Sequence, residues 1–227
     1  MASGESPGQF ELSRKGRPSS TQRFIETSTI RNYCSADPAR HVLVARRESY
    51  RRAVALAVCL LFDGRTERAL TNLWDRLEEQ GVATLRSHTH GMHHPHLSYV
   101  VLLRWDLAAV RDTVAGLPDR GGFEVTFDAL GAFRRGRICL VPAVPAELIA
   151  RQQGVVEAVR ATGALVHAHY EVDAWLPHCS IAPRARSEQL PVVAATVYGI
   201  LPLTARITRG VLIDSATGQL WPLPNVP

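Results

Sequence analysis

The feature that most constrains this chain is an internal repetition. The string "PHLSYV" at Pro95–Val100 returns as "PHCSIA" at Pro177–Ala182. The two histidines, His96 and His178, stand 82 residues apart, and each follows by 38 residues a position in a branched apolar run, Val58 and Leu140. Those runs, "RRAVALAVCLLFD" and "GRICLVPAV", have the length and composition of buried strands. Behind the first, Leu70, Leu73, Trp74 and Leu77 form one helical stripe that stops at Gly81. Behind the second, "PAELIARQQGVVEAVRATG" reads as a helix with Pro145 in its first turn and Gly163 past its end.

The order of elements then continues in parallel. Each motif reads as a strand, "HLSYVVLLRW" and "WLPHCSIAP", and a short helix follows each. These helices are "DLAAVRDTVAG", with Asp106 as N-cap, and "SEQLPVVAATVYGI". "FEVTFDALGAF" ends the first unit as a strand and turn. "TARITRGVLIDSATGQLWPLP" ends the second with two strands around a turn at Thr217-Gly218. The expected fold is α+β, built from two β-α-β-α-β units at about 51–132 and 136–225 inside a folded region 49–227. Residues 1–48 are polar and aperiodic and read as a disordered or loosely held basic tail.

Side chains alternate between the two faces of a strand. His96 and Ser98 therefore point one way, as do His178 and Ser180, while Leu97, Tyr99, Cys179 and Ile181 point into a core. Two such strands on pseudo-symmetric lobes would bring two imidazoles and two hydroxyls to one cleft. A neutral imidazole can take a proton from an attacking water, and a protonated one can give a proton to a departing oxygen. Both states are accessible near neutral pH, because an unperturbed imidazole titrates near pH ~6.5. Serine hydroxyls can donate to nonbridging phosphate oxygens as charge builds on them. This set supplies proton transfer and charge stabilisation without a metal or other cofactor.

"PHLSYV" and "PHCSIA" resemble the paired His-x-Thr/Ser motifs of the two-histidine (2H) phosphoesterase superfamily. Its LigT-like members include 2'-5' RNA ligases and cyclic phosphodiesterases. The resemblance covers roughly residues 50–225. It implies a bilobal fold with a pseudo-twofold axis and two antiparallel sheets flanking a central cleft. It also implies catalytic roles for His96 and His178, and phosphate-binding roles for Ser98 and Ser180. Both hydroxyl positions are Ser where Thr is commoner, which keeps the donor and loses a stiffening methyl. The family often carries a basic residue shortly after the second motif; here Pro183 takes that place and Arg184 follows as a further phosphate-binding candidate. The expected substrate is a nucleotide or RNA bearing a 2',3'-cyclic phosphate or a 2'-5' linkage. Hydrolysis is the leading reaction, and end-joining is the same chemistry in reverse. Which histidine is the base is left open.

Composition bounds the setting. The formal net charge is +5 and Lys15 is the only lysine. Arginine suits phosphate recognition through its planar fork, although base composition of a genome yields the same bias. Cys34, Cys59, Cys139 and Cys179 contain no C-x-x-C pair and read as small hydrophobes in a reducing compartment. The sequence contains neither an apolar run long enough to span a membrane nor a hydrophobic signal core, so a cytoplasmic monomer with no membrane partner is expected.

Other features keep two readings. His88, His90, His93, His94 and His96 offer a crowd of imidazoles to a metal, or else border the cleft, where His93 or His94 would touch substrate. Trp175 and Tyr170 either stack on a base or pack in the core. Phe133, Arg134 and Arg135 in "FRRGR" either meet phosphates or form a solvated turn. Arg14, Arg17 and Arg23 in the tail either hold RNA loosely or keep the tail soluble. Beside the enzyme stand two other classes: a nucleotide- or RNA-binding protein without turnover, and a metalloprotein built on the histidine loop.

Overall fold

A computed structural model describes residues 55–227; the tail expected over 1–48 and Cys34 lie outside them. The first unit runs β1 (Leu56–Phe62), α1 (Gly64–Glu79), β2 (His96–Arg104), α2 (Leu107–Ala115) and β3 (Phe123–Phe133). The second runs β4 (Arg137–Pro142), α3 (Ala146–Ala161), β6 (Cys179–Ala182), α4 (Leu190–Tyr198) and β7 (Leu203–Asp214). Two short strands are added, β5 (Leu165–Val166) and β8 (Leu220–Pro222). The helix boundaries follow their chemistry. Asp63 caps α1 by accepting from the Thr66 amide at 2.8 Å, and Gly81 leaves it at φ 76°. Asp106 caps α2 through the Ala109 amide at 2.9 Å. Pro145, expected inside α3, is its N-cap instead.

All the strands are antiparallel in the order β5-β2-β1-β7-β3-β4-β6, with β8 on the edge of β7. The order of the six strands shared by both units, β2-β1-β7-β3-β4-β6, reads identically from either end when β1 exchanges with β4, β2 with β6 and β3 with β7. The duplication in the sequence is therefore a duplication of topology. The two expected sheets are two arms of one ladder, joined where Phe123–Phe127 of β3 pairs with Leu203–Ile207 of β7. Where a turn was expected in β3, the strand continues: a bulge at Asp128 marks the point where it leaves β7 for β4.

The helices bury one face of this ladder. Trp74 and Leu77 of α1, Val110 of α2, Val156 and Val159 of α3 and Val197 of α4 join β1, β2 and β7 residues in one core. β1 is buried on both faces: Val58 and Leu60 face that core, while Ala57, Cys59 and Leu61 form a second small cluster with Val211. That is why β1 reads as an unbroken apolar run rather than an alternating one. Among the described residues no helix is long and apolar enough to cross a membrane.

Candidate active site

The strand ladder fixes where the motif side chains lie. Ser98 of β2 pairs with Cys59 of β1, and Ser180 of β6 pairs with Cys139 of β4. Immediately after each serine the register slips by one residue, at Tyr99 and at Ile181. Two buried residues follow in succession, Tyr99-Val100 and Ile181-Ala182, where strict alternation would allow only one. A bulge re-aims the side chain before it, and the same bulge sits at the same motif position in both units. His96 opens β2, whereas His178 lies one residue ahead of β6 rather than on it.

Both imidazoles are held by the same device. His96 Nδ1 lies 2.7 Å from the His94 carbonyl oxygen, and His178 Nδ1 lies 2.8 Å from the Leu176 carbonyl oxygen. A carbonyl can only accept, so each Nδ1 carries a proton and donates it. Each Nε2 is left as the titrating atom, a lone pair when the ring is neutral and an N–H when it is charged. Burial lowers the pKa of both rings, and the bond to the carbonyl partly opposes it. The charge of His178 and then that of His94 further lower His96, while that of Arg137 lowers His178. Protonation of His178 therefore disfavours protonation of His96, so the two rings are electrostatically coupled.

Four further residues lie around the motif side chains. The His178 ring centroid lies 5.7 Å from that of Phe133 and 6.4 Å from that of Tyr170. Burial, with the neighbouring thiols of Cys59 and Cys139, pushes the Tyr170 hydroxyl up to about 12, so it remains a neutral donor. Gln152, fully buried on α3, donates to the carbonyls of Tyr170 at 2.9 Å and of Tyr99 at 3.2 Å, which ties this segment to the β2 bulge. Arg137, at the start of β4, acts on His178, Tyr170 and Cys139 together.

The sequence profile of the 2'-5' RNA ligase superfamily matches residues 66–219, a span that contains both motifs. The chain belongs to the 2'-5' RNA ligase superfamily, the 2H phosphoesterases. Similar solved structures include one described as a phosphoesterase, 15% identical with a TM-score of 0.45, covering 77% of this chain and 97% of its own. Kluyveromyces marxianus Usb1 is 9% identical with a TM-score of 0.42, covering 76% and 98%. Its structure with uridine monophosphate is 11% identical with a TM-score of 0.43, over the same shares. No curated protein sequence matches the chain.

Within this 2H domain the other candidates take specific places. The His94 ring is engaged by Glu67 at 2.8 Å, and its carbonyl is the one that orients His96. Arg184 is exposed and acts on His88 rather than on His178. Trp175, considered for a base-stacking role, is a core residue at 8% exposure. Its indole nitrogen donates to the Ser98 carbonyl at 3.0 Å and its ring packs 6.1 Å from that of Tyr99. In the loop ahead of β2 the rings stack instead of converging their nitrogens. His90 lies 4.2 Å from His93, and His88 lies 6.0 Å from it. His90 Nδ1 accepts from the Met92 amide, His93 Nε2 bonds Thr89, and among the described residues no three His, Cys, Asp or Glu side chains are placed to hold a metal.

The packed imidazoles carry a consequence for stability. Burial, with the neighbouring charges of His90, His96 and His88, lowers His93 to about 4, and His88, His96, His167 and His178 are lowered as well, chiefly by burial. In the unfolded chain these rings titrate near ~6.5. Between that value and about 4 the unfolded state binds more protons, so stability is full above the window and is lost as pH falls through it. Thermal melts from pH 7.5 to 4.5 should show a progressive fall in Tm. A flat profile would mean that the rings are solvated.

Proposed function

We propose that the protein is a metal-independent phosphodiesterase that hydrolyses RNA or nucleotide ends carrying a 2',3'-cyclic phosphate or a 2'-5' linkage. The supporting observation is the pair of imidazoles, each with Nδ1 committed to the carbonyl two residues behind it and Nε2 left to titrate. One Nε2 lone pair takes a proton from water as its oxygen attacks phosphorus. The other Nε2–H gives its proton to the departing ribose oxygen, leaving a phosphomonoester and a free hydroxyl. Ser98, Ser180 and the Tyr170 hydroxyl donate to the nonbridging oxygens. The coupling between the rings favours one proton on the pair. The ring without that proton serves as base and the ring that holds it as acid; the fixed charge of Arg137 opposes the proton on His178, and the charge of His94 opposes it on His96.

The rim beside His178 favours an RNA chain over a mononucleotide. The loops 133–137 and 183–186 interlock: the Ala185 amide donates to the Gly136 carbonyl at 2.8 Å, and Gly136, at φ 72°, has no room for a Cβ against Ala185. They present Arg134, Arg135, Arg137, Arg184 and Arg186, all exposed and, among the described residues, without an acidic partner. Incubation of the protein with EDTA and an oligonucleotide ending in a 2',3'-cyclic phosphate should yield a phosphomonoester end. Tight binding with no product would discard the enzyme in favour of a binding protein. Arg184→Gln should raise KM for the oligonucleotide by about tenfold, the loss of one charge-assisted contact, and leave KM for a 2',3'-cyclic mononucleotide unchanged. Equal effects on both substrates would argue against a strand-binding rim.

A further inference from the structure

We propose that Cys59 and Cys139 are positioning residues, each orienting the hydroxyl of the motif serine opposite it toward the anion. The inference rests on the phosphodiesterase reading for the identity of that anion, and on the ladder for the geometry. Cys59 stands directly across from Ser98, with Sγ 3.4 Å from Oγ. Cys139 stands directly across from Ser180, with Sγ 3.8 Å from Oγ. Directly opposed residues share a face of the sheet. Both pairs lie at the point where the register slips, between Val58 and Cys59 and between Ile138 and Cys139. The arrangement thus occurs twice, in two units whose sequences otherwise differ at most positions around it.

A serine hydroxyl has one proton and two lone pairs. If that proton points back at sulfur, the lone pairs face the cleft and repel a phosphate. If the thiol donates to Oγ instead, the serine proton is released to the anion. The thiols are suited to donating. Cys59 and Cys139 are almost wholly buried, and burial pushes them up to about 12 and about 11, so both keep their proton at any working pH. A buried thiol with no role of this kind would be replaceable by any hydrophobe of similar size.

That contrast is the test. Cys59→Val and Cys139→Val keep an apolar side chain of similar bulk and remove the donor, whereas Cys59→Ser and Cys139→Ser keep a donor. Each single variant is assayed for kcat and KM on a 2',3'-cyclic-ended oligonucleotide, and for affinity toward inorganic phosphate by calorimetry. Each valine variant should lower kcat and phosphate affinity by about three- to tenfold, the scale of one modest hydrogen bond, and each serine variant should stay within about twofold of the parent. Valine and serine variants that match the parent, or that fall together, would overturn the proposal, because packing alone then explains the thiols. Phosphate affinity keeps the test independent of turnover. An unmodified protein that binds phosphate and forms no product refutes the hydrolase reading while the valine-serine contrast still decides this one. The two lobes are independent replicates, so one variant that fails to fold leaves the other to decide.

Discussion

Replacing His96 or His178 with alanine is expected to lower kcat for a 2',3'-cyclic-ended oligonucleotide by ~10² to 10⁴, the usual scale of general acid-base help. The two losses should not be equivalent once the leaving group is changed. A ribose oxygen departs as a poor leaving group unless it is protonated, whereas a nitrophenolate departs without a proton. With a nitrophenyl phosphodiester, the variant that lacks the acid should recover most of its rate, because the leaving group no longer needs a proton. The variant that lacks the base should remain slow, because water must still be deprotonated, so the pattern assigns the two roles. Equal recovery in both variants, or in neither, would argue against divided acid and base roles. Wild-type rates in both variants would remove the cleft from the chemistry altogether. Both variants keep the backbone that holds the rings, since the His94 and Leu176 carbonyls belong to other residues.

The fold was legible because its signals are local and were written twice. Strand runs, the helical stripe through Leu70 and Leu77 and the capping residue Asp106 depend on a few neighbours each. Their repetition at a constant offset fixed the element order that the ladder then pairs symmetrically. What escaped the sequence depends on cross-strand partners. Strict alternation put Tyr99 in the core, as found, but gave no reason for Val100 to be buried beside it. The succession of apolar residues after both serines was the available sign of a bulge. His178 falls outside β6 although His96 opens β2, even though a proline without an N–H precedes both histidines. Arg137 was in view within "FRRGR", yet only the folded chain brings its charge to bear on His178 and that of Arg184 on His88. The thiols read as small hydrophobes because nothing in the sequence announces that Cys59 opposes Ser98 and Cys139 opposes Ser180.

Trp175→Ala should be the most destabilising single change near the site. The indole is buried, packs against Tyr99 and donates to the Ser98 carbonyl, so it braces the segment leading to His178 against the strand that carries His96. Truncating a buried tryptophan costs about 3 to 5 kcal/mol through lost transfer energy and the cavity left behind. For a domain of this size that corresponds to a fall in Tm of roughly 10 °C. Trp175→Phe separates bracing from bulk. It keeps an aromatic ring but leaves the Ser98 carbonyl without its donor, at a cost of about 1 to 3 kcal/mol. Because that carbonyl belongs to Ser98, whose hydroxyl is proposed to meet phosphate, kcat should fall with Tm in the phenylalanine variant even at temperatures where the protein is fully folded. A base-stacking tryptophan would behave otherwise: substitution would raise KM and leave Tm in place. Thermal melts beside Michaelis curves for the two variants decide between a brace and a substrate contact, and the buried, hydrogen-bonded indole predicts the brace.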